Sequence, residues 1–274
     1  MKAFGYMPRK SPVHRLTGAS KLLLTLALSI AAMITFDTRF LALVIAMSVI
    51  LFSISKVRLS ELKAVLAFIS VFLVINNIAI FLFAPEQGAT IYGSRNELLR
   101  LTERYSFTSE QLFYQLNVTL KYFAIVPVAL IFFLTTEPGE FASSLNTIKV
   151  NYKIAFAVSL SLRYIPDVQR TYREISQAQQ ARGVDISKKA PIRARLTGIL
   201  TILFPLVFSS LDRIELISNA MELRGFGHLK RRTWYSARPF SKWDYIIVGA
   251  SVFFVILSAL TLVINKGRFY NPFQ

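Results

Sequence analysis

The feature that most constrains this chain is a series of long apolar runs that carry almost no charge. Five runs qualify: residues 20–36, 40–54, 64–83, 116–134 and 245–264. A helix that crosses a bilayer needs about 20 predominantly apolar residues. Lipid offers no partner for backbone polar groups, so each run must be helical. The sequence therefore predicts about five transmembrane helices.

The basic residues predict the orientation of these helices. The chain has 32 Lys and Arg and a formal net charge of +17. If the N-terminus lies in the cytoplasm, 25 of these residues are cytoplasmic and six are outside, as the positive-inside rule requires. The C-terminus is then outside. Because topology accounts for the basic excess and no basic patch is interleaved with aromatics, nucleic acid is not an expected partner. Lipid headgroups are expected to meet the basic stretch of residues 228–242, as juxtamembrane basic clusters do.

The segment before the last span holds two shorter apolar stretches, residues 154–165 and 196–208. Both are too short to cross a bilayer comfortably. A spanning hairpin would place residues 169–195 outside with seven Lys and Arg against two acids, which opposes the charge rule. We therefore expect cytoplasmic or interfacial helices, although two extra spans would preserve every other orientation.

The predicted fold is an all-α integral membrane protein in three parts. Residues 1–136 form an N-terminal membrane bundle, residues 137–244 a cytoplasmic or interfacial helical domain inserted before the last span, and residues 245–274 the final span with an outer tail. Residues 84–112 are expected to cap the outer side, with a short amphipathic helix from about Ser109 leading into the fourth span. Asn76 and Asn77 interrupt the third span and are interpreted as interhelical hydrogen-bonding residues.

An internal repeat lies in the inserted segment. Residues 175–183 and 217–225 share Ile, Ser, Ala, Arg and Gly at a fixed offset of 42 residues. On a helix the Ile, Ala and Arg positions share one face, and the glycine after each arginine is expected to adopt the left-handed conformation that ends a helix. Each copy thus predicts a helix with an arginine at its tip, Arg182 and Arg224. An arginine in a last turn is ordinary by itself, but its duplication favours two similar receptors.

Several motifs outside the repeat point to one family. They are Gly5-Tyr6, Ser11, His14-Arg15-Leu16 and Lys21-Leu22; Thr135-Thr136, Pro138, Phe141-Ala142 and Leu145; Leu162-Arg163-Tyr164-Ile165-Pro166; Ala178-Gln179; Ala181-Arg182-Gly183; Ala220-Met221-Glu222; Arg224-Gly225-Phe226-Gly227; and Arg231-Arg232-Thr233. With these the chain resembles the transmembrane T component of energy-coupling factor (ECF) transporters, ABC-type importers of vitamins and metal ions. The resemblance runs from about Gly5 to about Asp244.

The resemblance implies a function in energy coupling, with residues 137–244 as the coupling-helix domain. In this family the two arginine motifs enter grooves on two ABC-type ATPase subunits, which bind ATP and magnesium, and the helices transmit ATP-driven motion to a separate substrate-binding S component. The docking residues are then Ala181, Arg182, Gly183, Leu223, Arg224 and Gly225. The chain would be a non-catalytic subunit without a cofactor or metal of its own, present once per complex in a bacterial or archaeal cell membrane.

Some residues depart from the family pattern, and one surface stays open to two interpretations. Leu223 stands where alanine is usual, and Thr17-Gly18 replaces the usual Asp-Pro. Phe204, Leu206 and Phe208 are either part of a groove for the S component or internal packing.

Other classes of membrane protein fit less well. The predicted spans contain no His, Asp or Glu, and the chain has no cysteine and no nucleotide-binding loop, which argues against an intramembrane enzyme. The same absence argues against a self-sufficient secondary transporter. A conventional ABC permease with its own substrate pathway is the alternative, but such a chain would normally carry one coupling loop and act as a dimer.

Overall fold

The computed structural model describes residue 9 and residues 11–100, 105–187, 190–229 and 233–273. The chain divides into two compact units. Unit 1 comprises Met1–Glu137 with Arg238–Gln274, and unit 2 is Pro138–Ala237.

About three quarters of the described residues are helical. In chain order the elements are α1 (Pro12–Arg15), α2 (Gly18–Ile34), α3 (Thr38–Ser55), a 3-10 turn (Leu59–Glu61), α4 (Lys63–Phe83), α5 (Gln87–Tyr92), β1 (Glu97–Arg100), β2 (Ser106–Thr108), α6 (Ser109–Thr135), α7 (Pro138–Thr147), α8 (Tyr152–Ala181), α9 (Ile192–Leu223) and α10 (Lys242–Ile264). Helices α7, α8 and α9 belong to unit 2, and the other elements belong to unit 1.

The predicted fold class is confirmed, although the set of long apolar helices differs from the prediction. Within the described residues, five helices are long and apolar enough to cross a membrane: α3, α4, α6, α9 and α10. The first predicted span, α2, is apolar but has 17 residues. Helix α9 qualifies because it runs for 32 residues through Pro205, so the 196–208 stretch is part of a much longer helix. The 154–165 stretch is likewise part of a longer helix, since α8 has 30 residues in total and continues through Pro166.

Unit 1 has its core where α2, α3, α6 and α10 meet. The buried core side chains are Leu24, Leu28, Ala31, Ala32, Phe40, Leu41, Val44, Ala124, Val128 and Phe254. Three of them are alanines, which let helix backbones approach closely; such close packing, rather than the hydrophobic effect, holds helices together in lipid.

A buried carboxylate joins the start of α10 to the start of α2. Asp244 is fully buried and accepts hydrogen bonds from the Thr17 amide (2.8 Å), the Thr17 hydroxyl (2.9 Å) and the Ser20 hydroxyl (2.6 Å). Its second oxygen accepts the Ser241 amide at 2.8 Å, completing a capping box at the start of α10. One side chain therefore caps two helices that are distant in sequence.

The opposite ends of these helices are held by the C-terminal residues. The Phe36 amide donates to the Arg268 carbonyl at 2.7 Å, and the Phe36 and Phe269 rings stack at 4.5 Å. Nearby, Asp37 is buried and accepts hydrogen bonds from the Arg39 guanidinium (3.0 Å) and the Asn265 amide (2.8 Å). The segment after α10 is thus tied to the turn between α2 and α3.

Helix α4 is attached to the rest of unit 1 mainly through one seam. Leu73 is its one buried residue in the described structure. The Asn77 side chain donates to the Thr119 hydroxyl at 3.1 Å, and Gln115 donates to the Asn77 carbonyl at 3.2 Å. This confirms the interhelical role predicted for Asn77, whereas the buried side-chain oxygen of Asn76 has no hydrogen-bond partner among the described residues.

The segment before the fourth span differs from the prediction. Strands β1 and β2 pair antiparallel before α6, whereas no strand was predicted there. The amphipathic helix predicted from about Ser109 is not separate from the fourth span, because α6 begins at Ser109 and continues unbroken to Thr135, through Pro127. Thr108 caps its first turn by accepting the Gln111 amide.

Replacing Asp244 by alanine is expected to destabilise unit 1. The variant Asp244→Ala leaves the buried Thr17 amide and the Ser241 amide without their acceptor, at a cost of about 3 kcal/mol. Thermal unfolding of the purified protein in detergent should show a midpoint several degrees lower. The exposed Asp212 is the matched control, and Asp212→Ala should leave the midpoint unchanged. An equal effect of the two variants would contradict the capping role of Asp244.

Asp37 should make stability depend on acidity. Burial by itself raises the pKa of Asp37, but hydrogen bonds from Arg39 and Asn265 outweigh it, so the pKa lies below its ordinary value. A carboxyl with a lowered pKa in the folded state stabilises the protein above its unfolded pKa, and this contribution is lost as the pH falls through its folded pKa. Asp37→Asn should therefore lower the unfolding midpoint at pH 7, and the difference from the parent should shrink below about pH 4. If the difference in unfolding midpoint between the variant and the parent stayed constant from pH 7 to below about pH 4, the charge of Asp37 would not be the source of the stabilisation.

Candidate functional site

Helix α8 ends in a tightly hydrogen-bonded turn just after the first repeat arginine. Arg182 is the C-cap residue. The Gly183 amide donates to the Gln180 carbonyl at 3.0 Å, and the Val184 amide donates to the Gln179 carbonyl at 3.1 Å. These two bonds define the Schellman motif. Gly183 has φ of +90°, the left-handed conformation that this motif requires after the cap.

Helix α9 ends in the same way at the second arginine. Arg224 is the C-cap residue. The Gly225 amide donates to the Glu222 carbonyl at 2.8 Å, and the Phe226 amide donates to the Met221 carbonyl at 3.0 Å. Gly225 has φ of +66°. The sequence repeat is therefore a structural repeat, and the prediction that both glycines adopt the left-handed conformation is confirmed.

The predicted docking residues lie at these two helix ends. The side chains of Arg182 and Arg224 are exposed. Ala181 and Gly183 flank the first arginine and are exposed as well. Leu223 precedes the second arginine and is 89% exposed, while Gly225 after it is partly buried. Each tip thus presents a cation on the surface of unit 2, and the second tip adds an apolar side chain beside it.

Helices α8 and α9 run antiparallel. Just after the end of α8, Val184 packs against the first turns of α9. The contact is close: a Cβ atom at Gly198 would lie 3.0 Å from the Cγ1 atom of Val184. Near the start of α8, the Phe156 ring lies 4.7 Å from the ring of Phe226, just beyond α9. The end of each helix therefore lies beside the start of the other.

This arrangement separates the two arginines. Arg182 lies beside the part of α9 that contains Gly198. The distance from Arg182 to Arg224 therefore corresponds to the length of α9 from Gly198 to Arg224. At a rise of 1.5 Å per residue this length is about 40 Å. The repeat thus produces two similar cationic tips at opposite ends of one helix pair, rather than one joint site.

An ion pair joins the two helices between these ends. The Arg213 guanidinium donates to the Asp167 carboxylate at 3.1 Å, and both side chains are about half exposed. The guanidinium carbon also lies 5.9 Å from the centre of the Tyr164 ring. This pair is not predictable from the sequence, because nothing local connects residues 46 positions apart.

The second tip is anchored by an aromatic cluster. The Phe226 ring packs against Tyr152 at 5.8 Å and against Phe156 at 4.7 Å, both from the first turns of α8. Phe226 is also the residue whose amide completes the Schellman motif. Its packing therefore connects the conformation at Arg224 to the start of the other helix.

The residues predicted to meet an S component do not lie on one face of α9. Phe204 and Phe208 are four residues apart, and their side chains are 61% and 62% exposed. Leu206 is partly buried, because two residues along a helix correspond to a rotation of about 200°. The exposed apolar face has the 3.6-residue period instead, and it includes Leu196, Leu200, Phe204, Val207, Phe208 and Leu211.

No group of three or more metal-ligating side chains occurs among the described residues. The arrangement in unit 2 is thus one of exposed cations and apolar helix faces, which can bind a protein surface.

The comparison with known proteins agrees with the resemblance found in the sequence. Residues 9–235 match the model of the family CbiQ, described as cobalt transport protein. Proteins named energy-coupling factor transporter transmembrane protein EcfT are similar to the chain. One from Exiguobacterium sibiricum is 34% identical over 55% of this chain and 59% of its own length. One from Leuconostoc gelidum is 30% identical over 51% and 55%, and one from Bacillus selenitireducens is 28% identical over 91% and 92%.

The extent of these matches differs. The chain spans only a little over half the length of the Exiguobacterium and Leuconostoc relatives, whereas it spans nearly all of the Bacillus relative. The family match covers both arginine tips, the ion pair of Asp167 and Arg213, and α2 to α9. On this evidence the chain belongs to the cobalt transport protein family CbiQ.

Proposed function

We propose that this chain is the transmembrane coupling subunit of an ECF-type importer, which transmits the motion of two ABC-type ATPase subunits to a separate S component. The observation that supports the proposal most directly is the pair of matching arginine tips at opposite ends of the antiparallel α8 and α9. Relatives that carry the name of an energy-coupling factor transporter transmembrane protein agree with it.

The spacing of the tips suits two similar receptors. A groove on each ATPase subunit would receive one arginine, and the tips, about 40 Å apart, are too distant to share one groove. When the ATPase subunits close on ATP, their grooves move relative to each other. Because α8 and α9 are joined at Asp167 and Arg213, that motion would turn one helix against the other about this pair.

The chemistry of arginine fits such a role. A guanidinium remains charged at any physiological pH and presents donors in a rigid fork suited to carboxylates and backbone carbonyls. The exposed Leu223 beside Arg224 gives the second tip an apolar contact that Ala181 gives only weakly at the first. The two tips should therefore discriminate between non-identical ATPase subunits more readily than two identical tips would.

The partner subunits would carry out ATP hydrolysis and substrate binding. ATP and magnesium would be bound and hydrolysed by the ATPase subunits, and the vitamin or other micronutrient by the S component. The exposed apolar face of α9, with Phe204 and Phe208, is the surface proposed for the S component; Leu206 is turned away from it. We place the chain in a bacterial or archaeal cell membrane, with the N-terminus and unit 2 cytoplasmic and the C-terminus outside.

Removing the arginines should weaken ATPase binding. Arg182→Ala or Arg224→Ala should each reduce the affinity for the ATPase pair by about 2–5 kcal/mol where the arginine is buried in its groove. The ATPase subunits co-purified with the tagged chain would be measured. Arg170→Ala, which removes an exposed arginine of α8 away from the tips, is the matched control. Unchanged complex recovery and transport in the double variant would refute the proposed docking role.

The glycine after each arginine should be needed for its position. Valine is strongly disfavoured at positive φ, whereas asparagine tolerates it. Gly183→Val should open the Schellman turn and increase hydrogen exchange at the Val184 amide, while Gly183→Asn should retain most of the protection. The ATPase affinity should follow the same order. Equal protection in the two variants would show that the turn does not depend on left-handed backbone at this position.

Subunit counting separates the proposal from the alternative of a conventional ABC permease. A chain with two tips should be present once per pair of ATPase subunits, whereas a permease with one coupling loop per chain should be present twice. Mass determination of the detergent-purified complex measures this ratio. Two copies of the chain per ATPase pair would favour the permease.

A further inference from the structure

A cavity of about 300 Å³ lies in unit 2 beside the first half of α8. Its walls are largely aromatic. The aromatic side chains that line it are Tyr152 and Phe156 from α8, Phe226, Trp234 and Tyr235. The indole N–H of Trp234 donates to the Asn146 side chain at 3.0 Å, which fixes this ring as part of the wall.

One cation lines this cavity without a counter-charge in the described part of the chain. Arg163 is an exposed residue of α8, and no hydrogen bond or ion pair to another described residue engages its guanidinium. The carboxylate one turn further along, Asp167, is engaged by Arg213. The cavity therefore combines an aromatic wall with a positive charge and five potential hydrogen-bond donors.

A second unsatisfied group lies in the same lining. Tyr152 is only 7% exposed, and its hydroxyl is buried with no hydrogen-bond partner among the described residues. A buried hydroxyl without a partner is destabilising unless a ligand or water completes it. Both Arg163 and Tyr152 can donate to an oxygen-rich anion, so two independent observations point to the same ligand chemistry.

We propose that this cavity binds the phosphate group of an anionic phospholipid. Arg163 would donate a forked pair of hydrogen bonds to the phosphate oxygens, since a guanidinium suits phosphate geometry. Because the Tyr152 hydroxyl is buried, its ring would turn toward the phosphate to donate one more. The glycerol backbone and the first acyl carbons would lie along Phe156, Phe226 and Trp234.

The lipid is preferred over a free phosphate ion for two reasons. A free ion would leave the aromatic wall without an apolar partner, whereas tryptophan and tyrosine characteristically lie at the membrane–water interface. Residues 138–237 also carry 15 Lys and Arg against seven acidic residues, and such a basic excess attracts anionic lipid. The proposal does not depend on ATPase docking, because Arg163 is distinct from both tips.

Fluorescence quenching of Trp234 tests the proposal. The chain has two tryptophans, so Trp243→Phe leaves Trp234 as the only one. This protein would be titrated in detergent micelles with phosphatidylglycerol or phosphatidylcholine, each brominated near the start of its acyl chains. We expect phosphatidylglycerol to quench at a concentration about tenfold lower than phosphatidylcholine, the selectivity of about one charge-assisted hydrogen-bonded contact.

Variants assign the selectivity to the cavity. Arg163→Gln should abolish the preference for phosphatidylglycerol, and Tyr152→Phe, which keeps the aromatic wall, should reduce it. Arg170→Gln removes a similar charge from α8 outside the cavity lining and should retain it. Near-ultraviolet circular dichroism shows whether each variant stays folded; if Arg163→Gln does not fold, Tyr152→Phe decides.

Two results would overturn the proposal. Equal quenching by the two lipids would show that no anionic headgroup is recognised. A preference for phosphatidylglycerol that survives in Arg163→Gln and Tyr152→Phe would place the lipid elsewhere. Millimolar inorganic phosphate is the third titration; if it protected Trp234 from soluble quenchers while neither lipid quenched, the site would be one for free phosphate.

Discussion

The antiparallel packing of α8 against α9 is the constraint on which the proposed function depends. Two short sequence repeats end these helices with the same hydrogen-bonded turn, and the antiparallel direction converts similarity in sequence into separation in space. Parallel helices would have brought Arg182 and Arg224 together. The contacts of Val184 with Gly198 and of Phe226 with Phe156 hold the two ends, and the pair of Asp167 and Arg213 joins the helices between them.

The helices of unit 1 are held together by a different kind of contact. Its helices present mostly apolar surfaces, and lipid gives them little reason to associate. Buried polar groups therefore define how they meet. Asp244 caps α2 and α10 together, Asp37 ties Asn265 to the turn after α2, and Asn77 joins α4 to α6. These contacts lie at helix ends or at one seam, which leaves most of α4 exposed.

Local patterns predicted the helices and tips because their causes are local. The left-handed Gly183 and Gly225 follow from a Schellman turn that spans six residues, and the apolar runs follow from the length of a membrane-crossing helix. Long-range pairs were not predictable. Asp244 lies 227 residues from Thr17, and Asp167 lies 46 from Arg213. Helices α8 and α9 also continue through Pro166 and Pro205, although each proline lacks the amide that would donate a helical hydrogen bond.

The separation of the two tips tests the central claim most directly. The chain has no cysteine, so Arg182→Cys with Arg224→Cys allows two spin labels to be attached without other changes. Pulsed electron–electron double resonance on the purified protein should give a distance between the two labels centred at about 40 Å, the length of helix between the tips. A distance below about 20 Å would require the arginines to lie side by side, and one helix pair could not then reach two separate ATPase grooves.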